Sequence, residues 1–294
     1  RGAGDTRTPM RANIIINLIN FAGNLLLVHG LLGLPALGTL GAGIANSFAR
    51  VIGGFLLFWP YLRGKTVLPV HFPTDFIPHR EMMSRVGSVA FPGALERLIM
   101  TAGQLPYVRM IAGLGTVPYA AHIIGINAES LSYMPGNGFS TAATTLVGQN
   151  LGAGRPDLAE KSVHESVKLA VTFMGVMGLV LLIFPEVLMR VYTTDPEICR
   201  LGAIYLRIMA FNQIFVAVGF TFSGALRGAG DTRFVVYMTG FCVWVVRLGV
   251  SYLLVNVFKT GVVGAWWAMA ADWCLRGILS FLWFRAGHWK HTRV

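Results

Sequence analysis

Long stretches of this chain carry no charged side chain. No Asp, Glu, Lys or Arg stands between Arg11 and Arg50, and none between Glu129 and Arg155. A helix needs about 20 mainly apolar residues to cross the hydrocarbon of a bilayer, where every backbone polar group must be bonded within the segment. Each uncharged stretch has room for one such span or more. The apolar runs predict eight spans, at about 12–33, 38–62, 86–112, 119–147, 166–190, 202–226, 234–257 and 262–286. The expected fold class is all-α, a polytopic membrane helical bundle.

An internal repeat orders these spans. Arg1-Gly-Ala-Gly-Asp-Thr-Arg7 recurs unchanged as Arg227-Gly-Ala-Gly-Asp-Thr-Arg233, and Gly38-Thr-Leu-Gly41-Ala42 is loosely matched by Gly261-Val-Val-Gly264-Ala265. Six spans lie between the two copies, and an even number returns the chain to the same side. The pattern predicts two parallel six-helix repeats, related by an axis along the membrane normal, the first truncated to its last two helices. Residues 1–63 are then the last two helices of an N-terminal lobe. Residues 64–85, with Pro69, Pro73 and Pro78, are a cytoplasmic linker between lobes, and residues 86–294 are a C-terminal six-helix lobe. Arg1 opens the chain with neither Met nor a signal peptide, so the expectation is a piece of a twelve-helix protein.

Composition agrees with a membrane protein. Apolar residues make up 54% of the chain and charged residues 13%, against about 25% charged in an average soluble domain. Mean hydropathy is +0.61. The net charge of +11 does not imply nucleic acid, which needs a basic surface with polar or aromatic readers. The Lys and Arg residues instead cluster between the apolar spans. Counted over alternate loops, fifteen fall on one side and only Arg190, Arg200 and Lys259 on the other. Positive loops stay inside, which makes the motif loops, the linker and the C-terminus cytoplasmic in a multi-pass protein of the plasma membrane, the inner membrane of bacteria. Cys199, Cys242 and Cys274 form no Cys-x-x-Cys pair, and neither a cofactor nor a particular metal is indicated.

Three segments carry a family resemblance. Phe91-Pro-Gly-Ala-Leu-Glu96-Arg97, Gly148-Gln-Asn-Leu-Gly-Ala-Gly-Arg155 and Ala225-Leu-Arg-Gly-Ala-Gly-Asp-Thr232 resemble, in order and spacing, the C-terminal half of the multidrug and toxic compound extrusion family. The resemblance covers essentially the whole chain as helices five to twelve. It implies paired six-helix bundles, alternating access and export of amphipathic cationic compounds against H⁺ or Na⁺, without a cofactor and as a monomer. In many members an Asp of the first helix takes part in coupling, and that helix is absent from this chain. Some members also carry an Asp in the tenth helix. The corresponding span here, 202–226, offers Asn212 and Gln213 but no carboxylate.

Ionisable groups inside spans are functional suspects, because charge in hydrocarbon is expensive. Glu129 and Glu96 are the candidate cation-coupling carboxylates, since an acid at such a depth can exchange a proton for a cation. Glu96 serves equally as a structural partner of Arg97 or of a cation on another helix. Asp272 and Arg276, four apart on one helix face, read as a structural ion pair, which Arg247 can join. Gln104, Asn127, Tyr133, Met134 and Gln213 are candidates for a substrate cavity, with helix packing as the alternative for each. The Gly148–Arg155 run has no preceding strand and no Gly-Lys-Ser/Thr, so it reads as a helix end with a tight turn and not as a phosphate loop. Two rival functions remain: a lipid-linked oligosaccharide flippase of a related fold, which wants a strongly cationic cavity, and a membrane enzyme, for which no nucleophile or metal motif is present.

Overall fold

The computed structural model describes residues 5–30, 35–62 and 79–291. Every regular element among them is helical: α1 (Arg7–His29), α2 (Gly38–Leu62), α3 (Arg80–Ala112), α4 (Thr116–Gly152), α5 (Pro156–Ile183), α6 (Pro185–Arg190), α7 (Pro196–Gly228), α8 (Thr232–Phe241) and α9 (Gly261–Arg285). From α8 the chain continues into two π-helical stretches, Cys242–Val250 and Leu253–Val257, and a short 3₁₀ turn, His288–His291, follows α9. The linker residues 63–78, including the three prolines, and the first four residues of the first motif copy lie outside the described residues. The helix after the linker already begins at Arg80, six residues ahead of the expected span.

Five helical segments among the described residues are long and apolar enough to cross a membrane: α1, α2, α5, α7 and Thr232–Val257. The three other long helices, α3, α4 and α9, fall short of that apolarity. They are the ones that carry Glu96, Glu129 and Asp272. Polar groups placed inside the lobe dilute the hydropathy of the helices that hold them.

The expected span at 166–190 is divided. α5 ends at Ile183, and α6 begins with Pro185. Proline lacks an N–H to continue the ladder and its ring crowds the preceding turn, so the chain breaks at Phe184. The two Gly-Ala-Gly loops close like one another. Gly154 and Gly230 take left-handed φ values of 70° and 82°. The N–H of Arg155 bonds Asn150 O, and that of Asp231 bonds Leu226 O, as in a Schellman helix end.

The chain divides into two compact units, Arg1–His79 and Arg80–Val294. In the first, α1 and α2 pack on each other, with Ala12, Ala45 and Ala49 buried. In the second, α7 is the centre, packed against α4, α5 and α9. Close approach explains this. A Cβ at Gly224 would collide with the backbone oxygen of Ser140, one at Gly228 with that of Thr144, and one at Gly277 would lie 2.6 Å from Phe215 O. Small residues spaced by four let helix backbones meet, the main source of helix association where no hydrophobic driving force acts. The Thr144 hydroxyl adds a 2.8 Å bond to Gly224 O.

Candidate functional site

Two inward clusters of polar side chains and one cavity stand out in the second unit. The first cluster lies between α4 and α7. His122, Gly125, Glu129 and Ser132 follow one another at three- and four-residue intervals, which places them on one face of α4. Gly125 makes room for the Tyr205 ring, since a Cβ there would lie 2.5 Å from Tyr205 Cδ1. The Tyr205 hydroxyl donates to Glu129 Oε2 at 2.5 Å and Gln213 Nε2 donates to Oε1 at 3.2 Å. Ser132 Oγ in turn donates to Gln213 Oε1 at 2.8 Å. Among the described residues no Lys or Arg forms an ion pair with Glu129. Above this network the Tyr205 ring meets His122 and Trp266 edge-on, at centroid distances of 5.9 and 5.3 Å. Trp266 Nε1 donates to His122 Nδ1 at 3.2 Å, while His122 Nε2 is buried without a hydrogen-bond partner.

The second cluster joins α9 to the π-helical stretch. Asp272 Oδ1 accepts from Arg276 Nε at 2.7 Å, and Oδ2 lies 2.5 Å from Arg247 Nη2. All three residues are buried. Both guanidinium groups sit beside the Trp273 ring, at 5.6 Å for Arg247 and 5.0 Å for Arg276. Arg247 Nη1 also reaches Gln104 Oε1 at 3.4 Å. The π-helical turn widens the hydrogen-bond ladder over the segment that carries Arg247.

The cavity, of about 280 Å³, lies wholly within this unit and is lined from α3, α4, α7, α8 and α9. Glu96, Arg97, Arg227 and Arg276 reach it, together with Tyr133, Phe220 and Trp273. Arg227 Nη1 donates to both oxygens of Glu96, at 2.8 and 3.0 Å. Arg227 is the first residue of the second motif copy, so the motif ties the end of α7 to α3.

The candidates from the sequence are thus scattered. Glu129 and Gln213 come together, but Glu129 faces α7 within its own lobe because its donors stand there. Glu96 shares no partner with Glu129 and is held by Arg227. Tyr133 lines the cavity and stacks edge-on against Phe220 at 5.1 Å. Gln104 belongs to the Arg247 cluster, and Asn127 and Met134 are exposed on the lobe surface. Tyr205, His122 and Arg227 were not among the candidates. The spacing along α4 was the available signal for His122, and the repeated motif was the signal for Arg227. Nothing local marked Tyr205.

Membrane-length helices around buried ionisable groups define a polytopic membrane protein that holds charge inside its bundle. The family model MatE matches residues 92–253, and the chain belongs to that family, the multidrug and toxic compound extrusion transporters. It is a multi-pass protein of the bacterial inner membrane. It is 36% identical over 296 residues to a probable multidrug resistance protein NorM of Thermotoga maritima, covering 100% of this chain and 63% of that relative. It is 28% identical over 254 residues to a multidrug resistance protein MdtK of Yersinia enterocolitica, covering 86% of this chain and 56% of the relative. The chain therefore spans less than two thirds of the length of these relatives. Among solved structures, the outward-facing conformation of a multidrug resistance MATE family transporter aligns with a TM-score of 0.87 at 21% identity, covering 96% of this chain and 63% of that one. MATE in the bent conformation aligns at 0.85 and 20% identity, covering 97% and 62%. These likenesses carry the fold.

Proposed function

We propose that the whole protein exports amphipathic small molecules, organic cations among them, in exchange for protons by alternating access, and that Glu129 carries the proton. Relatives named as multidrug resistance proteins support the export of small molecules. The observation that carries the coupling role is the company Glu129 keeps: two neutral donors and, among the described residues, no paired cation. An ionised carboxylate is satisfied there by the Tyr205 hydroxyl and the Gln213 amide. A protonated one donates its own O–H, and the Tyr205 hydroxyl, both donor and acceptor, turns to accept it. The Glu129 carboxyl is thus hydrogen-bonded in either state, as a group that must load and unload a proton requires, while the Tyr205 hydrogen turns away in the protonated one.

The same geometry favours H⁺ over Na⁺. A hard cation wants several oxygen ligands turned towards it, whereas both Glu129 oxygens already accept from O–H and N–H donors. Glu96 takes a subordinate part: its ion pair with Arg227 tethers α3 to α7 while the proton resides elsewhere. The test is proton release. Adding ethidium to the purified whole protein in weakly buffered detergent should release protons, and Glu129→Gln should abolish release while ethidium still binds. Undiminished release from the variant would assign the proton to another group.

A further inference from the structure

We propose that the cavity enclosed by α3, α7 and α9 is a binding site for the anionic head group of an amphiphile, such as a carboxylate, sulfonate or phosphate. This site is separate from the Glu129 cluster and does not depend on the coupling role given to it. The charges of the cavity and its immediate support are four guanidinium groups, Arg97, Arg227, Arg247 and Arg276, against two carboxylates, Glu96 and Asp272. Both carboxylates are spoken for. The oxygens of Glu96 are taken by Arg227 Nη1, and those of Asp272 by Arg276, which lines the cavity, and Arg247, which does not. Among the described residues no other acid lines the cavity. Arg97 stands at its edge, exposed and without an ion pair among the described residues, and Arg227 keeps N–H groups that Glu96 does not use.

An organic cation entering here meets no free carboxylate. To gain one it must break the Glu96–Arg227 pair and leave a guanidinium unpaired in a partly desolvated place, which is costly. An anion instead adds to the arrangement as it stands, since the planar forks of Arg97 and Arg227 present paired donors to its oxygens. The aromatic wall, Phe220 edge-on to Trp273 at 5.3 Å, suits an apolar body beside the head. At about 280 Å³ the cavity lies just under the usual range for drug-sized ligands, about 300–1,000 Å³. It therefore takes a head group and about one ring, and the rest of a longer amphiphile would extend through its opening.

Two probes of one shape and opposite charge decide the matter: 2-naphthalenesulfonate and 2-naphthyltrimethylammonium, titrated calorimetrically into the purified whole protein in phosphatidylcholine nanodiscs. The sulfonate should bind at least about tenfold more tightly than the ammonium. Arg97→Gln, which removes an exposed side chain with no partner, should erase that preference, and Glu96→Gln, which frees Arg227, should enlarge it. Equal affinity for the two probes, preference for the ammonium, or a sulfonate affinity untouched by Arg97→Gln would overturn the proposal. Repeating the titration with phosphatidylglycerol in the nanodisc separates the sources. Weaker sulfonate binding that depends on Arg97 supports a lipid occupant, and unchanged binding supports a soluble organic anion.

Discussion

Asp272 and Glu129 both stand on helices of the second unit, yet their surroundings are opposite. Asp272 lies between two buried guanidinium groups. Glu129, one helix away across α7, has a phenol and an amide. The first arrangement is a permanent neutralisation: each charge is tolerable only because the others are present, and removing one strands the rest. The second holds an acid without fixing its charge. One lobe thus carries two inward carboxylates, a fully buried one serving as a structural rivet and a half-buried one free to change state, and the partners of each set the difference.

That contrast is broken most violently at Asp272. Asp272→Asn leaves Arg247 and Arg276 buried without a carboxylate, which should cost about 3–5 kcal/mol. The expected outcome is loss of monodisperse protein on size-exclusion chromatography in detergent, before transport is considered. A variant that purifies and melts like the parent would remove the rivet from the account.

The next test strikes the frame that both acids share. Gly224→Val sets side-chain atoms against the Ser140 backbone, where a single Cβ already collides. Forcing α7 from α4 should cost roughly 1–3 kcal/mol and loosen Tyr205 and Gln213 from Glu129. The check is a thermal melt together with the proton-release assay, and both should suffer. An intact melt would mean that the helices have slack at this crossing.

Smaller still is Tyr205→Phe, which deletes one hydrogen bond worth about 0.5–1.5 kcal/mol and leaves the ring packed against His122 and Trp266. The melting temperature should fall little, while the pH profile of dye efflux should change. A profile identical to the parent's would show that the hydroxyl has no part in the proton cycle.

Much of the architecture was legible in the sequence, because bilayer thickness imposes its length on every span. The apolar runs placed α2 at its observed bounds and α1 and α4 within about five residues of theirs. The failure at 166–190 came from reading apolarity through Pro185, where backbone chemistry overrides hydropathy. Within the site, Asp272 and Arg276 were legible since a four-residue spacing on a helix is a contact. Arg247 was a possibility only, because nothing local announces the π-helical turn that carries it. Gln104 follows Glu96 by eight residues on α3, and eight residues at 3.6 per turn fall about 80° apart. The structure accordingly gives Gln104 to Arg247 and Glu96 to Arg227. The partners of Glu129 stand 76 and 84 positions away, a separation that only the packing of α7 on α4 resolves.

The central claim, that Glu129 is the reversible acid of this lobe, is tested most directly by transport. The whole protein, reconstituted in liposomes with an imposed proton gradient, should export a cationic dye at a rate that rises with the gradient. Glu129→Gln keeps the shape and the hydrogen-bond pattern of the protonated acid, so it should match the parent in melting temperature and lose the gradient-driven component. Parental efflux from the Glu129→Gln protein under the same gradient would contradict the account.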